Sequence, residues 1–177
     1  MHSTEKVTEI AKKIKLLILD IDGVLTDGGI YFDDTGKELK KFNSLDGHGI
    51  NMLLSSGIEV GVITARSTSS VSYRLKDLGV KHYYHGISDK SIALTELTDK
   101  LSIELSQVCY VGDDVIDLTV MTKVALPIAV ANAHSFVKEH SILVSKKCGG
   151  SGAVREVCDF LLKSQGKYDA LMESYLK

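Results

Sequence analysis

Tryptophan is absent from the 177 residues and proline occurs once, so no proline-rich linker or extended recognition segment interrupts the chain. Cysteine is scarce too: Cys109, Cys148 and Cys158 form neither a CxxC pair nor an even set. That argues against a disulfide framework and a cysteine-based zinc site, and it reads as idle thiols in a reducing cytoplasm. Long apolar runs are missing. Runs such as residues 15–20 and 60–63 are strand-sized and far below membrane-spanning length. Residues 1–13 are polar with alternating charge and hold no apolar core of the kind a signal sequence needs. Nor is one sign of charge in excess. A net charge of −2 gives no reason to expect a nucleic-acid or acidic-membrane partner. A small anionic substrate stays open, because it needs only a local positive site.

What the chain does contain is short apolar runs alternating with amphipathic stretches, the pattern of strands and crossover helices in an α/β fold. Its length fits one domain, 1–177, and no linker or repeat divides it. Strands are expected at 16–19, 60–63, 81–84, 108–111 and 125–129, with a short edge strand at 142–144. Helices are expected at 49–56, 69–78, 90–101, 116–122, 153–162 and 168–176. Residues 28–32 and 38–42 read as a β-hairpin with a turn-rich tip, and 165–177 as a tail. The expected fold is a doubly wound parallel sheet.

Such sheets bind ligands outside the carboxyl ends of their strands, so the polar residues after each strand carry the functional reading. These are Asp20 and Asp22 after the first strand, Thr64 and Arg66 after the second, and Asp113 and Asp114 after the fourth, with Lys90 opening a helix after the third. Crowded carboxylates repel one another unless a cation compensates, and a hard divalent ion such as magnesium suits oxygen ligands. Asp20 and Asp113 are the side-chain candidates for that ion, with the main-chain oxygen of Asp22 as a third. Asp114 and Asp117 are placed to hold metal-bound water or to orient Lys90. Asp20 can also attack phosphorus and form an aspartyl-phosphate. Asp22 would then give a proton to the leaving alcohol and take one from water. Thr64 and Lys90 would hold and screen the phosphate. Taken singly, each motif has a plainer reading: a turn, a helix cap or a solvated surface charge. Their order at consecutive strand ends is what favours catalysis.

Asp20-Ile21-Asp22-Gly23-Val24-Leu25-Thr26-Asp27, Val62-Ile63-Thr64, Lys90 and Gly112-Asp113-Asp114-Val115-Ile116-Asp117 resemble the motifs of the haloacid dehalogenase superfamily of phosphatases. The resemblance implies a Rossmann-like haloacid dehalogenase fold and magnesium held by Asp20, Asp22 and Asp113. It also implies the catalytic set Asp20, Asp22, Thr64 and Lys90. The likeness extends from about residue 13 to 177 and narrows to the branch acting on the 8-phosphate of an eight-carbon sugar acid of lipopolysaccharide. Asp46-Gly47-His48-Gly49-Ile50 and Gly149-Gly150-Ser151-Gly152-Ala153-Val154-Arg155-Glu156 carry that narrowing. Two positions depart from it: Ala65 stands where glycine is expected, and Ile116 where proline is. The spacing between motifs leaves room for a hairpin and no cap domain. The branch further implies a homotetramer associating through the hairpins, with Tyr31, Phe32 and Phe42 as contacts and a neighbour's tail near the site. Arg66 is the candidate for the substrate carboxylate, with Arg155 as a second cation, and His48 reads as structural. The Gly149–Gly152 run reads as a hinge, an anion loop or a plain turn.

Three other functions are to be weighed. A phosphatase for a nine-carbon sugar acid phosphate would share every catalytic residue. A phospho-aspartate signalling receiver uses a similar residue set, but its acceptor ends a later strand. A non-catalytic regulatory domain of this fold would not need the full set.

Overall fold

Leu16–Leu19, an unbroken apolar run, forms β1, and its residues are wholly buried because strands flank it on both sides. The computed structural model describes residues 4–177, so residues 1–3 of the polar amino-terminal stretch lie outside it. β1 pairs in parallel with β4 (Glu59–Ile63) and with β6 (Val108–Gly112). β5 (His82–Tyr84) extends the sheet beyond β4, while β7 (Leu126–Ala129) and β8 (Leu143–Val144) extend it beyond β6. The order β5-β4-β1-β6-β7-β8, parallel throughout, is the doubly wound sheet that the alternating pattern implied. The chain runs outward from β1 to β5 and then returns to the other side of β1 as β6. That reversal opens a crevice at the carboxyl ends of β1 and β6.

Helices α1 (Thr4–Ala11), α2 (Ser44–Ser55) and α7 (Ala153–Ser164) pack together, and α3 (Ser69–Asp77) meets α2 near Gly47. α4 (Lys90–Leu101) packs on α5 (Leu118–Met121), followed by α6 (Ser135–Glu139) and, at the end of the chain, α8 (Tyr168–Ser174). Asn43 caps α2 by accepting from the Leu45 N–H at 2.8 Å, and Asp89 caps α4 by accepting from the Ser91 N–H at 2.9 Å. Each cap contributes about 1 kcal/mol. The second cap fixes where α4 begins, and so where Lys90 stands.

Several elements differ from the sequence-based expectation. α1 was not anticipated, because its charges mask the helical spacing of the buried Val7 and Ala11. α2 begins at Ser44 rather than at residue 49, since the Asn43 cap outweighs the low helix propensity of Gly47 and Gly49. α6 was also not anticipated, and the stretch 116–122 divides into a tight turn (Val115–Asp117) and the short α5. The hairpin ladder is shorter than expected, with β2 (Tyr31–Phe32) against β3 (Glu38–Leu39) and one further pairing of Thr26 with Phe42. Asp27 accepts hydrogen bonds from the Gly29 N–H at 3.0 Å and the Tyr31 hydroxyl at 2.8 Å, which holds the entry to the hairpin as a turn.

Candidate active site

Where β1 ends, the backbone winds through residues 21–25 in a tight turn, and this is the first wall of the crevice. The turn needs glycine at position 23. Its φ is +85°, and a Cβ there would lie 2.0 Å from Asp113 Oδ2. Gly149 braces the same turn from outside, since a Cβ on it would stand 1.6 Å from the Gly23 carbonyl oxygen. The glycine run of 149–152 is thus a close-packed turn against residues 23–27, with the Gly150 N–H bonded to the Val24 carbonyl at 2.9 Å.

Four strand ends deliver charge to the crevice. Asp20 follows β1 and is buried, and the Lys90 ammonium donates to its Oδ1 at 2.7 Å. Lys90 itself is 1% exposed and also donates to Asp117 Oδ1 at 2.7 Å. The Tyr110 hydroxyl, on β6, donates to that same Asp117 oxygen at 2.6 Å. Asp117 Oδ2 accepts from the backbone N–H groups of Asp113 and Asp114, at 2.9 and 3.2 Å. Both Asp117 oxygens are therefore saturated within the protein. Asp113 differs: its Oδ1 is buried and has no hydrogen-bond partner. Oxygens of Asp20, Asp113 and Asp117 lie within 4.8 Å of one another.

This crowding shows in the acid strengths. Burial pushes Asp20 up to about 6, with the charge of Asp117 adding to it and Lys90 opposing. Asp113 rises to about 8 through burial and the charges of Asp20, Asp117 and Asp114. Burial works against the Lys90 ammonium, but Asp20 and Asp117 more than offset it and leave its pKa raised. Three carboxylates thus share one ammonium, and a buried oxygen among them is unpartnered.

The cleft above these groups encloses about 240 Å³, lined by Asp20, Asp22, Thr64, Arg66, Asp113 and Asp114 among others. Both positions that depart from the family pattern, Ala65 and Ile116, line it as well. Thr64 is buried at the end of β4, its Oγ1 accepting from the Arg66 N–H at 3.3 Å. Asp114 is exposed and caps the following turn through the Val115 N–H at 2.7 Å. The Asp22 carboxylate stands outside the Asp20–Asp113–Asp117 cluster and turns toward the hairpin. There Lys40 binds its Oδ1, and Arg66 Nε lies 3.9 Å from its Oδ2. Lys40 and Glu38 were missed from the sequence; their i, i+2 spacing after the turn-rich tip was the available signal. Tyr110 was missed as well, because inside an apolar strand it reads as core.

The structure does not bring Arg155 to the cleft. Its Nε donates to Asp159 Oδ1 at 2.8 Å one turn along α7, so the guanidinium runs along the helix. Its backbone N–H is bound by the buried Asp46 at 2.8 Å, tying the start of α7 to α2. His48 sits against the Tyr175 ring with centroids 5.5 Å apart, a packing role away from the acids.

A family model described as haloacid dehalogenase-like hydrolase matches residues 84–156. The 3-deoxy-D-manno-octulosonate 8-phosphate phosphatase of Escherichia coli is 52% identical over 159 residues, covering 90% of this chain and 85% of the relative. The crystal structure of the Moraxella catarrhalis enzyme of that name, in complex with a magnesium ion, a phosphate ion and KDO, superposes with a TM-score of 0.95 at 41% identity. It covers 98% of this chain and 99% of its own. A probable YrbI-family phosphatase from Pseudomonas syringae reaches 0.96 at 44% identity, covering 98% and 99%. The chain belongs to the 3-deoxy-D-manno-octulosonate 8-phosphate phosphatase family of haloacid dehalogenase-like hydrolases.

Proposed function

We propose that this chain is a magnesium-dependent phosphatase that releases phosphate from 3-deoxy-D-manno-octulosonate 8-phosphate, in lipopolysaccharide synthesis, through an aspartyl-phosphate on Asp20. The observation that carries the reading is the charge imbalance under the cleft: three acids, one ammonium and the unpartnered Asp113 Oδ1. Those oxygen donors fit magnesium, which favours one or two carboxylates and completes its shell with water and phosphate. Asp20, Asp113 and the main-chain oxygen of Asp22 would hold it. When bound, the ion compensates the surplus negative charge and polarises the phosphoryl group.

The chain's own groups divide the chemistry. A carboxylate oxygen of Asp20 attacks phosphorus as the bond from phosphorus to the sugar oxygen breaks, and Asp22 gives that oxygen its proton. In the second half, Asp22 takes a proton from water, the water oxygen attacks phosphorus, and Asp20 leaves as carboxylate. Lys90 fixes the orientation of Asp20 and screens its charge from the phosphate, while the Thr64 hydroxyl donates to a phosphoryl oxygen. Asp117 and Asp114 orient Lys90 and the Asp113 loop. Arg66, half-exposed at the cleft mouth, is the group to pair with the substrate carboxylate. Support for the eight-carbon acid is the 52% identity to the Escherichia coli enzyme and the KDO in the Moraxella structure.

The chain is read as one hydrolase domain, with the hairpin and α2 between the first two motifs and only α3 and β5 between the second and third. A homotetramer in the cytoplasm completes the reading. Exposed Ile30, Tyr31, Phe32 and Leu39 on and beside the hairpin support association of copies there. The three cysteines are free, as suits a reducing compartment, and no described helix is long and apolar enough to cross a membrane.

The test is phosphate release from the eight-carbon 8-phosphate with magnesium and then with chelator, beside a nine-carbon sugar acid phosphate. Fast, metal-dependent release favouring the eight-carbon acid is expected. Equal slow release from both would discard the substrate and keep the phosphatase.

A further inference from the structure

At the cleft mouth, four charged side chains close into a ring that the catalytic set does not account for. Lys40 binds Asp22 Oδ1 and lies 2.7 Å from Glu38 Oε1. Arg66 Nη2 donates to Glu38 Oε2 at 3.0 Å, and its Nε faces Asp22 Oδ2 at 3.9 Å. Each of the four carboxylate oxygens meets one cation, and the ring is neutral. Glu38 and Lys40 stand two apart across the end of β3 and meet the same partners, while Leu39 between them is exposed. The Lys40 side chain is 1% exposed, so a charge has been taken out of water here. Such burial is unfavourable unless close partners compensate, and Asp22 and Glu38 are those partners. The same pair, Lys40 first and Arg66 with it, holds the Glu38 carboxyl below its ordinary range.

We infer that Lys40 is a positioning residue for Asp22: by holding Oδ1 it fixes the rotation of the carboxyl and turns Oδ2 to the departing alcohol. This rests on the acid–base role of Asp22 stated above. A lysine ammonium has donors and no acceptor, so an oxygen it touches can only accept. Lys40 therefore holds Asp22 Oδ1 as an acceptor and leaves Oδ2 as the oxygen free to serve the substrate. At 3.9 Å from Arg66 Nε, Oδ2 is beyond hydrogen-bond distance and stays available to the cleft. When Arg66 pairs with a substrate carboxylate, it moves its charge from Oδ2 toward the ligand. The step itself is balanced: the bond from phosphorus to the alcohol oxygen breaks, the bond from Asp20 to phosphorus forms, and the Oδ2 proton passes to the alcohol oxygen. Without Lys40, the carboxyl of Asp22 is no longer held by the hairpin and can turn away from the departing oxygen. The hairpin thereby sets the aim of the proton, although it contributes no group that touches phosphorus.

The experiment compares aryl phosphates lacking a carboxylate, so that Arg66 pairing does not enter. Dinitrophenyl phosphate has a leaving group stable as an anion; phenyl phosphate has one that needs a proton. General acid catalysis contributes about 10²- to 10⁴-fold where a proton is required. For Lys40→Met, kcat/KM on phenyl phosphate should fall at least about tenfold further than on dinitrophenyl phosphate, with the magnesium dissociation constant unchanged. Lys40→Arg, which keeps a cation, should bring the two losses back together. Lys40→Gln, which fills the space with a neutral amide, gives the same comparison should Lys40→Met fail to fold. Equal losses on both substrates, or no loss on either, would overturn the inference. A wild type that hydrolyses neither phosphate would instead overturn the phosphatase reading, and this inference with it.

Discussion

Two charge clusters meet at the crevice, and they are built on opposite principles. The inner one, Asp20, Asp113, Asp117 and Lys90 with Tyr110 beneath, forms the largely buried floor of the cleft and carries more negative charge than positive. The outer one, Asp22, Lys40, Glu38 and Arg66, is neutral and reaches solvent through Arg66, whose side chain is 43% exposed. A buried cluster with surplus negative charge has one low-energy resolution, a bound cation, and otherwise holds protons at unusually high pH. A balanced cluster at a cleft mouth needs no ion, and its guanidinium can exchange a protein carboxylate for a ligand's at small net cost. The inner set suits chemistry that must not change between turnovers. The outer set suits recognition, which must yield to each substrate.

The largest effect should come from the inner cluster's nucleophile. Asp20→Asn should remove turnover by about 10⁵-fold or more, measured as kcat/KM, while Lys90 keeps an oxygen to donate to. Near-normal activity in that variant would erase the distinction between the clusters. Second, Lys90→Met should destabilise the protein by about 3–5 kcal/mol in urea unfolding at neutral pH, because it removes the only ammonium among the described residues that faces the buried Asp20 and Asp117. Magnesium should recover part of that loss.

Third comes pH. In the metal-free protein Asp113 holds its proton up to about pH 8 and Asp20 up to about 6, against ordinary values of 3.8. Between those limits the unfolded chain has released protons that the folded one still binds. Stability therefore falls as pH rises from about 4 to 8 and levels off above. Magnesium must displace those protons, so its affinity should rise over the same interval. Thermal unfolding with and without magnesium at pH 5.5 and 8 should show a larger metal-induced rise in Tm at the higher pH. A metal effect independent of pH would contradict this. The smallest effect on stability belongs to the outer cluster. Arg66→Ala should change unfolding by less than about 0.5 kcal/mol yet raise KM for the sugar acid phosphate several-fold, with a lesser change on an aryl phosphate.

The sheet was legible in the sequence because its strands are buried on both faces and read as bare apolar runs, as Leu16–Leu19 does. The inner cluster was legible for the same reason, since a polar residue directly after such a run must lie at the sheet's edge. Asp20, Thr64 and Asp113 follow that rule, and Lys90 opens the helix behind β5. The outer cluster was mostly hidden. β3 is only Glu38–Leu39, too short for its alternation to show, with Lys40 just past it, and the partners of Glu38 and Lys40 are set by how the hairpin folds over the cleft. Arg155 shows the converse error. In the sequence it reads as a second cation for the substrate, but an aspartate four residues on, Asp159, takes the guanidinium first. Charge pairing between distant segments is a property of the fold, and short spacing alone did not disclose it.

The proposed mechanism turns on covalent transfer through Asp20. A turnover mixture with magnesium and the eight-carbon sugar acid phosphate, quenched and reduced with borohydride, reads that transfer out, because an acyl phosphate is reduced to an alcohol while a free carboxylate is not. Homoserine is expected in place of aspartate at position 20 by peptide mass spectrometry, dependent on both substrate and magnesium. Reduction at another carboxylate, or none while phosphate is being released, would contradict it.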